Sequence, residues 1–134
     1  MEKEFVTYNQ ALALKELWFD PFMKENCLAY FNTSNSNNDL ETKDWWHLPK
    51  NDFQYALSAP LKQQVFRWFR EKHNFIGVVG LFSISDQGIS SFEFHVDKIH
   101  YIGPSNFQEF VGFKTYEEAE SACIDKLIEI VKNK

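Results

Sequence analysis

Ser58-Ala-Pro-Leu-Lys-Gln-Gln-Val-Phe-Arg-Trp-Phe-Arg-Glu-Lys-His73 is the stretch from which the rest of the chain can be read. It opens on Ser and Pro, residues that suit a helix start. From about Pro60 to His73 the spacing predicts one amphipathic helix. Leu61, Val65, Phe66, Trp68 and Phe69 form its apolar side, and Gln63, Arg67 and Arg70 fall opposite at a rotation of about 100° per residue. Arg67 and Arg70 are the only arginines in the protein. Glu71 lies one turn after Arg67 and can partly neutralise it.

Two further helices frame this one. Thr7-Tyr-Asn-Gln10 fits a capping box, in which the Thr hydroxyl and the Gln side chain satisfy each other's backbone N–H. The helix it opens runs to about Trp18, with Ala11, Leu14, Leu17 and Trp18 on a core-facing side, and Asp20-Pro21 ends it. Thr115-Tyr-Glu-Glu118 is a second and stronger capping box, followed by a helix to about Lys132. Its apolar stripe is Ala119, Cys123, Leu127, Ile130 and Val131, and Glu118, Asp125 and Glu129 form an acidic outer strip. Glu120 falls inside the stripe and is expected to escape sideways.

Strand signals lie between the helices. Cys27 to Phe31 and Phe53 to Leu57 read as short strands. Asn32 to Asp44 reads as a polar, Asn-rich loop that delivers Trp45-Trp46-His47. Phe75 to Ile84 is an apolar strand with Ile76, Val78, Phe82 and Ile84 on one side and Val79 and Leu81 on the other, a pattern that suits cover on both faces. Asp86-Gln87-Gly88 marks a hairpin. The next strand alternates, with Phe92, Phe94 and Val96 inward and Glu93, His95 and Asp97 outward. The parity flips after Lys98, as a β-bulge near Asp97–Lys98 would cause. Phe107 to Phe113 is a last strand. The expected fold is α+β, a small and mainly antiparallel sheet with three helices packed mostly on one face.

Composition bounds the class. At 134 residues the chain is long enough for a core and reads as a single domain over residues 1–134. Phe, Trp and Tyr make 17% of it, more than a small core hides, so a surface aromatic patch is expected. The net charge of −5 argues against a protein that coats nucleic-acid phosphates through its overall field. Cys27 and Cys123 read as reduced core thiols. There is no apolar leader and no run as long as a membrane span, so the expected location is the cytoplasm.

No nucleophile triad, phosphate loop, metal motif or cofactor motif is visible, so no enzyme activity, metal or cofactor is expected. Four groups of residues are candidates for contact. Glu93, His95 and Asp97 form a row on one strand. A metal or acid–base site needs such groups convergent in a cleft, whereas a linear row is ordinarily a solvated strand face, and His95 with His100 is short of a zinc ligand set. Trp45, Trp46 and His47 after a polar loop suit an interface anchor, or else plug the core. Lys62, Arg67, Arg70 and Lys72 make a modest basic strip able to touch RNA or DNA locally, or simply a solvated helix face. The acidic strip of the last helix could meet a basic groove, or simply face solvent.

Ser58-Ala59-Pro60, Gln64 and Phe66-Arg67-Trp68-Phe69-Arg70-Glu71-Lys72 resemble a motif of small accessory proteins of phages, prophages and mobile elements of Bacteroidetes-type bacteria. Thr7-Tyr8-x-Gln10-Ala11-x-x-Leu14-Lys15-Glu16-Leu17 is similar to that family's opening. Thr115-Tyr116-Glu117-Glu118-Ala119-Glu120-x-Ala122-Cys123-x-x-Lys126-Leu127-Ile128 is similar to its closing helix. Relatives tend to have Gly where this chain has Trp18, which removes a C-terminal cap or lets the helix continue. The resemblance implies a non-enzymatic accessory protein, with the helices as scaffold and the unlike middle as the working surface. By analogy with small acidic phage proteins, it implies binding to a host protein such as a CRISPR-type, RNA-guided nuclease. Nucleic acid is the secondary expectation and a membrane is not expected.

Overall fold

The computed structural model describes residues 2–19, 29–34, 36–41, 56–99 and 108–133. The fold is α+β, and the described residues form three α-helices and strands that all pair antiparallel. These strands form two three-stranded sheets instead of one. Three short strands pair among themselves early in the chain, and three longer ones pair later. The chain divides into compact units at Met1–Gln64 and Val65–Lys134.

In the first unit, α1 spans Tyr8–Glu16. The expected capping box is complete: Thr7 Oγ1 accepts from the Gln10 N–H at 3.2 Å, and Gln10 Oε1 accepts from the Thr7 N–H at 3.0 Å. The helix stops short of Trp18 because the chain turns left-handed there, at φ 66°. The Trp18 N–H donates to the Lys15 carbonyl and the Phe19 N–H to the Leu14 carbonyl, at 3.1 and 3.0 Å. These are the paired bonds of a Schellman end, whose left-handed position ordinarily holds glycine. Trp18 was expected to face the core. It is 79% exposed, and the next residue, Phe19, is buried in its place.

Strand β1 (Tyr30–Asn32) lies between β2 (Asp39–Glu41) and β3 (Ala56–Ser58). The Asn-rich stretch therefore contains a hairpin and is not loop throughout. Asn32 Oδ1 accepts from the Ser34 N–H at 3.0 Å and from its hydroxyl at 2.6 Å, a side-chain-built turn. The ring of Tyr8 meets Phe31 edge-on at 5.6 Å. The Val6 N–H donates to the Pro60 carbonyl at 3.1 Å, and Phe5 bridges Leu61.

The central helix α2 spans Lys62–Trp68 and widens into a π turn at Phe69–His73. The Asn74 N–H closes that turn on the Phe69 carbonyl, with Asn74 left-handed at φ 58°. The wider turn sets the His73 ring 4.6 Å from Trp68. Val65, Phe66, Trp68 and Phe69 are buried, as the apolar spacing requires.

The second sheet has the order β4 (Phe75–Ser85), β5 (Gly88–Lys98), β6 (Gln108–Phe113). The expected hairpin joins β4 and β5 at Asp86-Gln87. No bulge occurs at Asp97–Lys98: pairing runs unbroken from Phe75↔Lys98 to Leu81↔Phe92, and β5 ends at Lys98. The irregularities lie elsewhere, between Leu81 and Ile84 and at Gly112 in β6. Gly112 takes φ 94°, and its extra residue turns Phe113 back to the side of Phe110.

Helix α3 (Tyr116–Lys132) lies across this sheet. Its cap is half of the expected box. Thr115 Oγ1 accepts from the Glu118 N–H at 3.1 Å, but Glu118 Oε2 reaches the Lys114 N–H at 3.2 Å. The complete box is at α1. Ala119, Cys123, Leu127 and Val131 are buried as expected, and Ile124 and Ile128 join them. Glu120 is also buried, contrary to the expected sideways escape. Gly77 explains the close approach of helix and sheet: a Cβ there would sit 2.6 Å from Cys123 Sγ and 3.1 Å from both Leu127 and Phe66. Phe66 and α3 thus cover the same sheet face. Burial, followed by the charge of Glu120, pushes the Cys123 thiol up to about 12, which makes it an inert core group.

Candidate functional site

The strand period divides the second sheet into two unlike faces. On the helix side Phe94 and Val96 are buried, and Phe94 stacks on Phe110 at 4.8 Å and meets Phe113 at 5.5 Å. On the other side, cross-strand pairing assembles three rows. Ile76 opposes Asp97. Val78 opposes His95, which opposes Glu109. Gly80 opposes Glu93, which opposes Val111. The expected outward direction of Glu93, His95 and Asp97 is therefore the observed one, and β6 adds Glu109 and Val111 beside them.

This face is open. Val78 is 38% exposed and Val111 49%. Phe82 and Ile84 are exposed too, but they follow the register shifts after Leu81, which break their expected alternation with Val78. The expectation that both faces of β4 are covered is corrected here: α3 and Phe66 lie on the Gly77 side alone. The open face sets Ile76 and Val78 of β4 beside the polar column of β5. Such a surface suits contact with a protein better than contact with water alone.

Its electrostatics centre on two carboxyls. Glu93 and Glu109 sit diagonally across β5 and β6 and share a hydrogen bond, which raises the Glu93 pKa above its ordinary value. Desolvation and the Glu109 charge act in the same direction, and His95 pulls the other way.

The row does not build a reaction centre. Among the described residues, no group of three or more His, Cys, Asp and Glu is placed to hold a metal ion. Asp97 accepts from the Lys98 N–H at 2.8 Å and borders a cleft of about 150 Å³ with Phe75, Val96, Gln108 and Ile130. That volume is below the 300–1,000 Å³ of ordinary small-molecule sites.

The expected basic strip is thinner than its sequence. Lys62 is only 5% exposed, so it cannot lie with Arg67, Arg70 and Lys72 on an outer face. Arg67 Nε pairs with Glu71 Oε1 at 2.8 Å, as the spacing suggested. That hydrogen bond raises the Arg67 pKa and lowers that of Glu71. Arg70 and Lys72 are exposed. The acidic strip of Glu118, Asp125 and Glu129 is exposed too, with Glu129 paired to Lys126 at 3.2 Å. Trp45, Trp46 and His47 lie outside the described residues.

Sequence reasoning missed Glu109, Val111 and the openness of the β4 column. A strand was expected at Phe107 to Phe113, but only the cross-strand register shows that Glu109 joins Glu93 and His95. No described helix is long and apolar enough to cross a membrane. Comparison with protein-family models, curated proteins and solved structures gave no match to this chain.

Proposed function

We propose that this chain is a non-enzymatic binding protein that engages a host protein through the open face of its second sheet. One observation carries this reading: exposed Val78 and Val111 stand beside Glu93, His95, Asp97 and Glu109. Apolar area supplies affinity, and an acidic rim selects partners with basic surfaces and speeds their approach. Proteins that handle nucleic acid carry such basic surfaces. With the resemblance to phage and mobile-element accessory proteins, the proposed partner is a host ribonucleoprotein nuclease in the bacterial cytoplasm. Trp45, Trp46 and His47 are proposed as a second contact segment. The nucleic-acid reading is weaker, because Lys62 is buried and Arg67 is engaged with Glu71.

The test is co-purification from a Bacteroidetes-type host lysate, read by mass spectrometry and nucleic-acid staining together. A discrete host protein should be retained by the wild type. Its recovery should fall about tenfold with Val111→Lys, which corresponds to about 1.4 kcal/mol of binding. His95→Ala/Asp97→Ala should weaken it in the same direction. Equal recovery by these variants would remove the open face from the reading. Nucleic acid retained without a stoichiometric protein, and lost steeply with salt, would favour Arg70 and Lys72 instead.

A further inference from the structure

The four strands at the edges of the two sheets are protected unequally. In the first sheet, β2 and β3 are edges of three residues each, and β2 carries Asp39 and Glu41. In the second, β6 is an edge of six residues with Glu109 and a bulge at Gly112. Short length, charge and bulges are the usual means of keeping an edge from pairing with another chain. The edge of β4 has none of these over Phe75–Leu81. Its register with β5 is unbroken there, and Phe-Ile-Gly-Val-Val-Gly-Leu contains no charge and no proline. Irregular pairing begins only after Leu81. Among the described residues no strand pairs with the other side of β4.

We propose that the β4 edge pairs antiparallel with the β4 edge of a second copy of this chain, centred on Val78. In that register Val78 opposes itself and Ile76 opposes Gly80 on the open face. Gly77 opposes Val79 on the covered face, and Phe75 opposes Leu81. Opposed residues share a face, so the two sheets join into one of six strands with both α3 helices on the same side.

Three observations favour a second copy over a foreign strand. The segment is uncharged and apolar throughout, so it complements itself. Nothing among the described residues explains Gly80: its φ is not positive, and a Cβ there would meet nothing within 4 Å. A glycine inside a strand commonly marks the close approach of another backbone, and in this register Gly80 makes room for Ile76 of the other copy. The third observation concerns charge, since each copy carries −5. The acidic column of β5 is three strand spacings from its twin, about 14 Å. That exceeds the screening length of about 8 Å at physiological salt, so repulsion does not oppose the pairing.

The proposal concerns the purified chain with itself and is independent of any host partner. Sedimentation over a concentration series should show the wild type at twice the 15.9 kDa chain mass. Val78→Lys should give the single-chain mass with an unchanged circular dichroism spectrum, whereas Ile84→Lys, outside the paired segment, should leave the dimer intact. Val78→Cys tests the register directly. Its Cα atoms would be about 4.5–5.5 Å apart, within disulfide reach, so oxidation should yield a covalent dimer that Ile84→Cys does not form. A wild type that stays monomeric at every soluble concentration would overturn the proposal. So would a dimer that survives Val78→Lys, or one that Val78→Cys fails to cross-link.

Discussion

Gly77 and Gly80 stand on the same strand, point to opposite faces and have opposite justifications. At Gly77 the chain itself accounts for the residue, because Cys123, Leu127 and Phe66 fill the space a side chain would need. At Gly80 none of the described residues does. The two faces of the second sheet differ in the same way. Phe94 and Gly77 on the covered face are explained by their neighbours within the protein, Phe94 by Phe110 and Gly77 by α3. Residues on the open face are not. Exposed Val78 and Val111, and a glycine with free space around it, serve no internal packing. Identities that folding does not explain point toward contacts with other molecules.

The largest effect should come from reversing the two glycines. Gly77→Val forces α3 from the sheet and should lower stability by about 3 kcal/mol, an overpacking cost. Gly80→Ala should raise it by about 0.5 kcal/mol, since alanine loses less backbone freedom on folding. Urea midpoints with unchanged slopes would measure both. Similar losses at the two positions would break the distinction between the faces.

Trp18 extends the comparison to the first unit. It holds a left-handed conformation that costs a bulky residue about 1–2 kcal/mol, yet it is largely exposed. Trp18→Gly should therefore stabilise the fold, by about 0.5–1 kcal/mol after the entropy of glycine in the unfolded chain is subtracted. A loss of stability would mean that the indole packs usefully where it lies. A gain would place Trp18, like Gly80, among residues kept for reasons other than folding.

How far the sequence could be read follows from how local each signal is. Thr7 with Gln10, the apolar spacing from Val65 to Phe69, and Asp86-Gln87-Gly88 each act within a few residues, and the fold contains all three as read. The outward direction of Glu93, His95 and Asp97 needed only the strand period. Other features depended on distant parts of the chain. Strand parity divides Val78 from Val79, but only the placement of α3 decides which face is covered. Glu109 reaches Glu93 through the pairing of β6 with β5, which no local spacing shows. Trp18 was misread because helix-end preferences assign its position to glycine. The π turn that brings His73 onto Trp68 leaves no spacing signal of its own.

The smallest expected effect lies in the carboxyl pair on the open face. Glu93 has a folded pKa above the ordinary 4.5 because it is hydrogen-bonded to Glu109. The native state therefore holds a proton that the unfolded chain releases more readily. This contribution to stability is fully present below the unfolded value and is lost as pH rises through the raised folded value. Glu93→Gln removes it. Relative to that variant, the urea midpoint of the wild type should fall as pH rises through the range just above 4.5. Glu71 titrates in the opposite sense beside Arg67, but it is present in both proteins and cancels in the difference. Parallel midpoint curves would show that the two carboxyls do not share a proton in solution. A converging pair would show that the open face gains negative charge as pH approaches neutrality, the condition under which a basic partner should bind it best.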